Sequence, residues 1–306
     1  MIELVIQIVL LIVGFAILIK GSDIFVSGSS NIATILKIPT LIVGLTIVAF
    51  GTSAPEAAVS ISSSIQGSNA LAVSNVIGSN IFNILGIIGI CALIKELKLG
   101  ENVLNKDMPF LLIVSLLVVG FILLSWDLTR IEGIVLLILI IGYTAHLVYT
   151  SKKSKGADFV EKPKFGIGRS IVYVVVGLAA IILGAQLVVN SSSYIAMACG
   201  MSETLVGLTI VAIGTSLPAL KRDENQLVIG NVIGSNIFNI LFVLGLSSTI
   251  TPIPVNSNMI VDLGLMIIVT ILCLIFGKTQ SKFDRKEGII LLGLFILYMA
   301  FVIFRN

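Results

Sequence analysis

Charge is what this sequence has least of. Only 11% of its 306 residues are Asp, Glu, Lys or Arg, while 57% are hydrophobic and the mean hydropathy is +1.14. A soluble domain of this length needs more charge to cover its surface, so the composition excludes that class and implies a membrane protein. Histidine occurs once, at His146. A His-Glu-x-x-His metal motif is therefore impossible, and Asp23 has no nearby Asp to form an aspartyl pair, so an intramembrane hydrolase is not expected. Cys91, Cys199 and Cys273 stand singly in apolar surroundings, with no spacing for a metal site or a disulfide framework, and read as packing residues. A basic leader is also missing. Met1-Ile2-Glu3 opens directly onto an apolar run with no small-residue cleavage site, which reads as a retained helix rather than a signal peptide.

What the chain does have is apolar length, and one unit written twice. Runs able to cross a bilayer lie near 3–19, 108–125, 131–149, 170–189, 259–277 and 288–304. Between them, 38–94 and 203–248 are apolar but broken by Gly, Pro, Ser and Asn. Val43 to Ser53 returns as Val206 to Ser216, 163 residues later, with Phe50 becoming Ile213 as the single change. Asn75 to Ile84 returns unchanged as Asn231 to Ile240, but 156 residues later. Each half then reads as five spans: 3–36, 39–65, 70–94, 108–125 and 131–150, then 167–199, 203–220, 226–248, 259–277 and 287–304. An odd number of spans makes the second copy insert upside down. The expected fold is an all-α polytopic membrane protein with ten transmembrane helices as two inverted five-helix repeats, 1–150 and 167–306, joined by a basic linker at 151–166.

The Lys and Arg residues orient it. They concentrate at 95–107, at 150–170, at Lys221-Arg222 and at 278–287, while 66–69, 126–130 and 249–258 carry almost none. The positive-inside rule then puts both termini outside a cell membrane.

Within these spans two motif pairs carry polar atoms. In Gly51-Thr52-Ser53-Ala54-Pro55, proline has no N–H and clashes with the carbonyl four residues back, freeing an acceptor at Gly51. Broken backbone at this depth is tolerated only beside protein or a cavity. Thr52 and Ser53 add hydroxyls and Glu56 a carboxylate, the oxygen donors that hard cations require. A carboxylate inside a membrane span is costly without a partner or a role. Gly214-Thr215-Ser216-Leu217-Pro218 supplies the second copy. In the other motif, Ser79 and Asn83 share a helix face, as do Ser235 and Asn239, and can meet the first motif at midplane. Asn80 and Asn236 lie off that face and read as packing or backbone-bonding residues. Asp23 reads as an ion pair with Lys20, and Asp262 as solvated or capping.

These doubled motifs resemble the two α-repeats of the sodium/calcium exchanger family in the calcium/cation antiporter superfamily, over essentially the whole chain. The resemblance implies exchange of Na⁺ for Ca²⁺ by alternating access, with the first and sixth helices sliding across the rest. It further implies Ca²⁺ ligands at Thr52, Glu56 and Thr215. Na⁺ sites would use the Ala49 and Ala212 carbonyls with Ser53, Ser79, Ser216 and Ser235, and Asn83 and Asn239 would lie nearest the centre. Asn at both of these last positions resembles potassium-independent members. The implied partners are the lipid bilayer and the ions themselves, with no cofactor and no nucleic acid.

One departure stands out. The family pattern places a second Glu after Pro218, where this chain has Ala219. The change of offset from 163 to 156 makes the second copy seven residues shorter between its motifs. Seven residues are close to two turns, so the helix would keep its phase within about 20° yet end about 10 Å sooner. Glu56 alone would leave about one uncompensated positive charge beside Ca²⁺, which implies impaired Ca²⁺ exchange. Asp223 is a weak substitute, flanked as it is by Lys221 and Arg222. Two alternatives remain open: a proton-coupled Ca²⁺ exchanger, in which Glu56 carries the proton, and a cation-binding variant of the fold that does not transport.

Overall fold

A computed structural model describes residues 2–38, 49–153, 163–216 and 225–305. Helix α1 (Ile2–Ile35) is followed by a broken pair, α2 (Ala49–Thr52) and α3 (Ala54–Ile65), then α4 (Asn69–Ile94), α5 (Val103–Ser125) and α6 (Arg130–Lys153). The rest comprises α7 (Ile167–Cys199), α8 (Glu203–Ser216), α9 (Asn225–Phe238, continuing through Asn239–Leu244 to Gly245–Ile250), α10 (Ser257–Gln280) and α11 (Arg285–Arg305). Among the described residues, eight helices are long and apolar enough to cross a membrane, and they match eight of the ten expected spans. The difference lies in the two motif-bearing segments. Only part of each is described, 49–65 of the expected span 39–65 and 203–216 of the expected span 203–220. The helices described there, α3 and α8, therefore hold fewer than the ~20 residues of a full span, while the rest of each segment lies outside the described residues. Ala219, Asp223 and Lys221-Arg222 lie outside the described residues, as does most of the linker.

α4 and α9 occupy the centre. In their most apolar stretches 78% and 72% of residues are buried, against 17% for α1 and 11% for α6. Both central helices widen into a π-helical stretch at the same place in their motif, Phe82–Ile88 and Asn239–Leu244. Such widening redirects side chains and is frequent at functional sites.

α1 and α7 pack against each other antiparallel and unusually closely. A Cβ on Gly21 would lie 3.1 Å from the Gly177 carbonyl, and one on Gly184 2.9 Å from the Gly14 carbonyl. With lipid as apolar as the side chains, small residues gain dispersion contact by letting backbones approach. At one end of this pair Asn31 Nδ2 donates to the Phe165 carbonyl at 2.7 Å and to Ser170 Oγ at 2.8 Å, while Lys164 N donates to Asn31 Oδ1 at 2.7 Å.

Two short antiparallel strand pairs join distant loops. β1 (Leu97–Lys98) pairs with β4 (Lys282–Phe283), and β2 (Asp127–Leu128) pairs with β3 (Ile253–Pro254). Each follows a left-handed residue closing a long helix, Trp126 (φ 60°) after α5 and Ser281 (φ 53°) after α10. Lys282 also reaches Glu96 at 3.1 Å.

Asp262 corrects the expectation of a solvated residue. It is fully buried on α10 and pairs with Arg305 of α11 at 2.8 Å, because the last turn of α11 folds its guanidinium over that site. Asp23 is exposed and takes part in neither ion pair found among the described residues.

Candidate cation site

The site is assembled from broken backbone. Ser53 interrupts the helix between α2 and α3 (φ −96°, ψ 4°), with Pro55 entering the first turn of α3. The Gly51 carbonyl that Pro55 frees is taken by the Ser22 hydroxyl of α1, so it is not left as a ligand. Glu56 is 2% exposed on the first turn of α3. Its Oε1 accepts from Ser216 Oγ of α8 at 2.8 Å, and its Oε2 has no partner. Neither ion pair among the described residues involves Glu56.

The hydroxyls meet in two reciprocal sets. Thr52 Oγ1 donates to Asn231 Oδ1 at 3.1 Å and lies 3.2 Å from Ser235 Oγ. The counterpart, Thr215 Oγ1, donates to Asn75 Oδ1 at 3.3 Å and lies 3.5 Å from Ser79 Oγ. The Val211 and Ala212 carbonyls, 3.0 and 3.3 Å from Thr215 Oγ1, compete with Asn75 for its single proton, and Ser79 Oγ lies 3.5 Å from the Ala212 carbonyl. Gly78 permits this closeness, since a Cβ there would sit 2.7 Å from Ala212 Cβ.

Of the eleven residues expected at the site, Thr52, Glu56, Ser79, Ala212, Thr215, Ser216 and Ser235 are joined by these contacts. Asn83 and Asn239 face each other's half through a ring of amides: Asn83 Nδ2 donates to Asn236 Oδ1 at 2.9 Å, and Asn239 Nδ2 to Asn80 Oδ1 at 3.1 Å. Ser53 is fully buried with its hydroxyl unpartnered. Ala49 opens α2. Asn75 and Asn231 were not expected. They begin the repeated decapeptide four residues before Ser79 and Ser235, and that four-residue step puts them on the same helix face. Asn75 Nδ2 also donates to Ser60 Oγ at 2.9 Å, tying α4 to α3.

The unpaired atoms define the chemistry. Glu56 Oε2, Ser53 Oγ, Asn83 Oδ1 and Asn239 Oδ1 are buried oxygens with no hydrogen-bond partner. Buried polar atoms are nearly always satisfied, so a group of oxygens left over calls for a ligand that accepts lone pairs. Oxygen donors from carboxylate, amide and hydroxyl suit Na⁺ or Ca²⁺. No cluster of three or more His, Cys, Asp or Glu exists among the described residues, which leaves one carboxylate amid neutral donors. A separate groove lined by Ile140, Ile141, Val148, Phe238 and Phe242 is apolar and offers no such set.

Comparison with known proteins agrees with this chemistry. The profile of the family described as sodium/calcium exchanger protein matches residues 6–149 and 169–304. The chain is 36% identical to the inner membrane protein YrbG of Escherichia coli K12, over 95% of each chain. It is 31% identical to the sodium/calcium exchanger MaX1 of Methanosarcina acetivorans, over 96% of this chain and 97% of that one. Among solved structures, the sodium-calcium exchanger NCX_Mj soaked with Na⁺ and Sr²⁺ superposes with a TM-score of 0.70 at 32% identity, covering 97% of this chain and 98% of that one.

Proposed function

Because this chain belongs to the sodium/calcium exchanger protein family, we propose that it is a secondary antiporter that exchanges Na⁺ for Ca²⁺, working slowly for want of a second acidic ligand. The observation that carries the reading is the buried Glu56 carboxylate, with one oxygen bonded to Ser216 and the other unpartnered, on the same doubled motifs as the buried unpartnered oxygens of Ser53, Asn83 and Asn239.

The reading extends to the whole architecture. Ten spans in two inverted halves, 1–150 and 167–306 about a linker at 151–166, are supported by the reciprocity of the contacts. Thr52 meets Asn231 as Thr215 meets Asn75, and the β1–β4 pair has its repeat counterpart in the β3–β2 pair. External termini are supported by the clustering of Lys and Arg in alternate loops. α1 and α7, bound to each other through glycines, are the pair suited to move as one body across α4 and α9.

Charge decides the preference between ions. Glu56 balances one Na⁺, whereas Ca²⁺ at the same place keeps about one excess positive charge in poorly solvated surroundings. Ca²⁺ should therefore bind weakly and Na⁺ normally. Uptake of ⁴⁵Ca²⁺ into liposomes holding the purified chain tests this, with Na⁺ and pH gradients imposed separately. Slow uptake driven by the Na⁺ gradient is expected. Uptake that follows the pH gradient alone would replace the reading with proton coupling, and robust Na⁺-driven uptake would refute the impairment.

A further inference from the structure

Asn80 and Asn236 do more than pack. A side-chain amide has a donor end and an acceptor end, and its orientation is settled by any partner able to play only one role. A backbone carbonyl can only accept. Asn236 Nδ2 donates to the Asn80 carbonyl at 3.1 Å, and Asn80 Nδ2 lies 3.5 Å from the Asn236 carbonyl. Each side chain thus turns its NH₂ toward the other's backbone. Their oxygens are left facing the second pair of amides, where Asn236 Oδ1 accepts from Asn83 Nδ2 at 2.9 Å and Asn80 Oδ1 from Asn239 Nδ2 at 3.1 Å.

The outcome for Asn83 and Asn239 is one-directional. With their NH₂ groups engaged, both keep a buried Oδ1 that bonds to nothing. The reversed amide would turn a donor toward the site and set oxygen against oxygen within the ring. The crossing also runs between halves, since Asn80 is on α4 and Asn239 on α9. Neither half orients its own asparagine.

We infer that Asn80 and Asn236 are positioning residues: each fixes the amide of the opposite half, Asn239 and Asn83 respectively, so that oxygen rather than NH₂ faces the cation. The role rests on the cation-site reading above, but the orientation can be measured without any ion. The full chain labelled with side-chain ¹⁵N asparagine, in detergent micelles, gives NH₂ resonances that single substitutions assign. Asn80→Leu should shift the Asn239 NH₂ and speed its hydrogen exchange while sparing Asn83; Asn236→Leu should do the reverse. Asn80→Asp keeps an acceptor and should leave the Asn239 NH₂ protected. Should leucine not fold there, Asn80→Ser, too short to reach, gives the same reading. An Asn239 NH₂ unmoved by losing Asn80, or a shift of Asn83 instead, overturns the inference.

Calorimetric titration with Na⁺ and Ca²⁺ separates positioning from packing. Loss of an outer-shell partner typically costs about ten- to hundredfold in metal affinity, which is the drop expected for Asn80→Leu. Adding Asn239→Asp should restore binding, because both carboxylate oxygens accept and no orientation is needed. A double variant as weak as the single one would mean that Asn80 only packs. If the unmodified chain bound neither ion, the exchange reading would fall, and the resonances would still decide the orientation.

Discussion

Glu56 shows how much one side chain is asked to do. It is buried, it takes one hydrogen bond from Ser216 across the interface of α3 and α8, and it takes part in neither ion pair found among the described residues. Glu56→Gln keeps the shape and one oxygen but removes the only negative charge in the contact set. Cation affinity should fall by more than about a hundredfold, beyond what an outer-shell change costs, and ⁴⁵Ca²⁺ uptake should drop to that of empty liposomes. Protein that still unfolds cooperatively on heating would show the loss to be electrostatic. Most of this residue set was readable from the doubled motifs, because the residue types name the chemistry and the four-residue spacing names the face. Two features were not. The Gly51 carbonyl looked like a free acceptor, but its partner, Ser22, comes from a helix with no local link to the motif. Asn75 and Asn231 were not singled out, because their link to the site shows only where Thr215 and Thr52 donate to them.

Elements are held together here by means that hydropathy does not reveal. A charge near a helix end reads as solvated because that is the common case, yet Asp262 and Arg305 lie on different helices and find each other only after folding. Arg305 also donates to the Asn258 carbonyl at 3.3 Å and lies 5.0 Å from the Phe301 ring centroid, so its guanidinium fills that end of the α10–α11 interface. Removing it strands a buried carboxylate. Arg305→Ala should lower stability by about 3–5 kcal/mol, seen as an earlier melting transition in detergent, whereas Asp262→Asn combined with Arg305→Ala should recover part of it. A melting point unchanged by Arg305→Ala would refute the pairing as a structural bond. The two-residue strands were equally invisible, since periodicity cannot register in so short a run. Gly14 with Gly177 and Gly21 with Gly184 recur at the repeat's offset of 163, but that spacing does not reveal the close contact of α1 and α7.

At the scale of the whole molecule, the two halves agree in their contacts and differ in length. The seven-residue shortening lies between Pro218 and Asn231, and Ala219 stands at the position that corresponds to Glu56. Inserting seven residues after Pro218, with Glu first, should raise Na⁺-driven ⁴⁵Ca²⁺ uptake by at least about tenfold, since each 1.4 kcal/mol of regained charge pairing is worth a factor of ten. The same insertion with Gln first should not. Equal rates from the two inserts would show that helix length, rather than charge, limits transport.

The strand pairs also set a schedule for making the protein. Leu97 bonds to Phe283, 186 residues further along the chain. At about 5–20 residues per second, a ribosome leaves that edge waiting for roughly 10 to 40 seconds. Through the same interval the amides of Asn80 and Asn83 lack the partners that orient them. The first half therefore enters the bilayer as an unfinished object, with bare backbone at its rim and misdirected polar groups at its heart. The second half supplies the strand edge and the amide partners that complete the first.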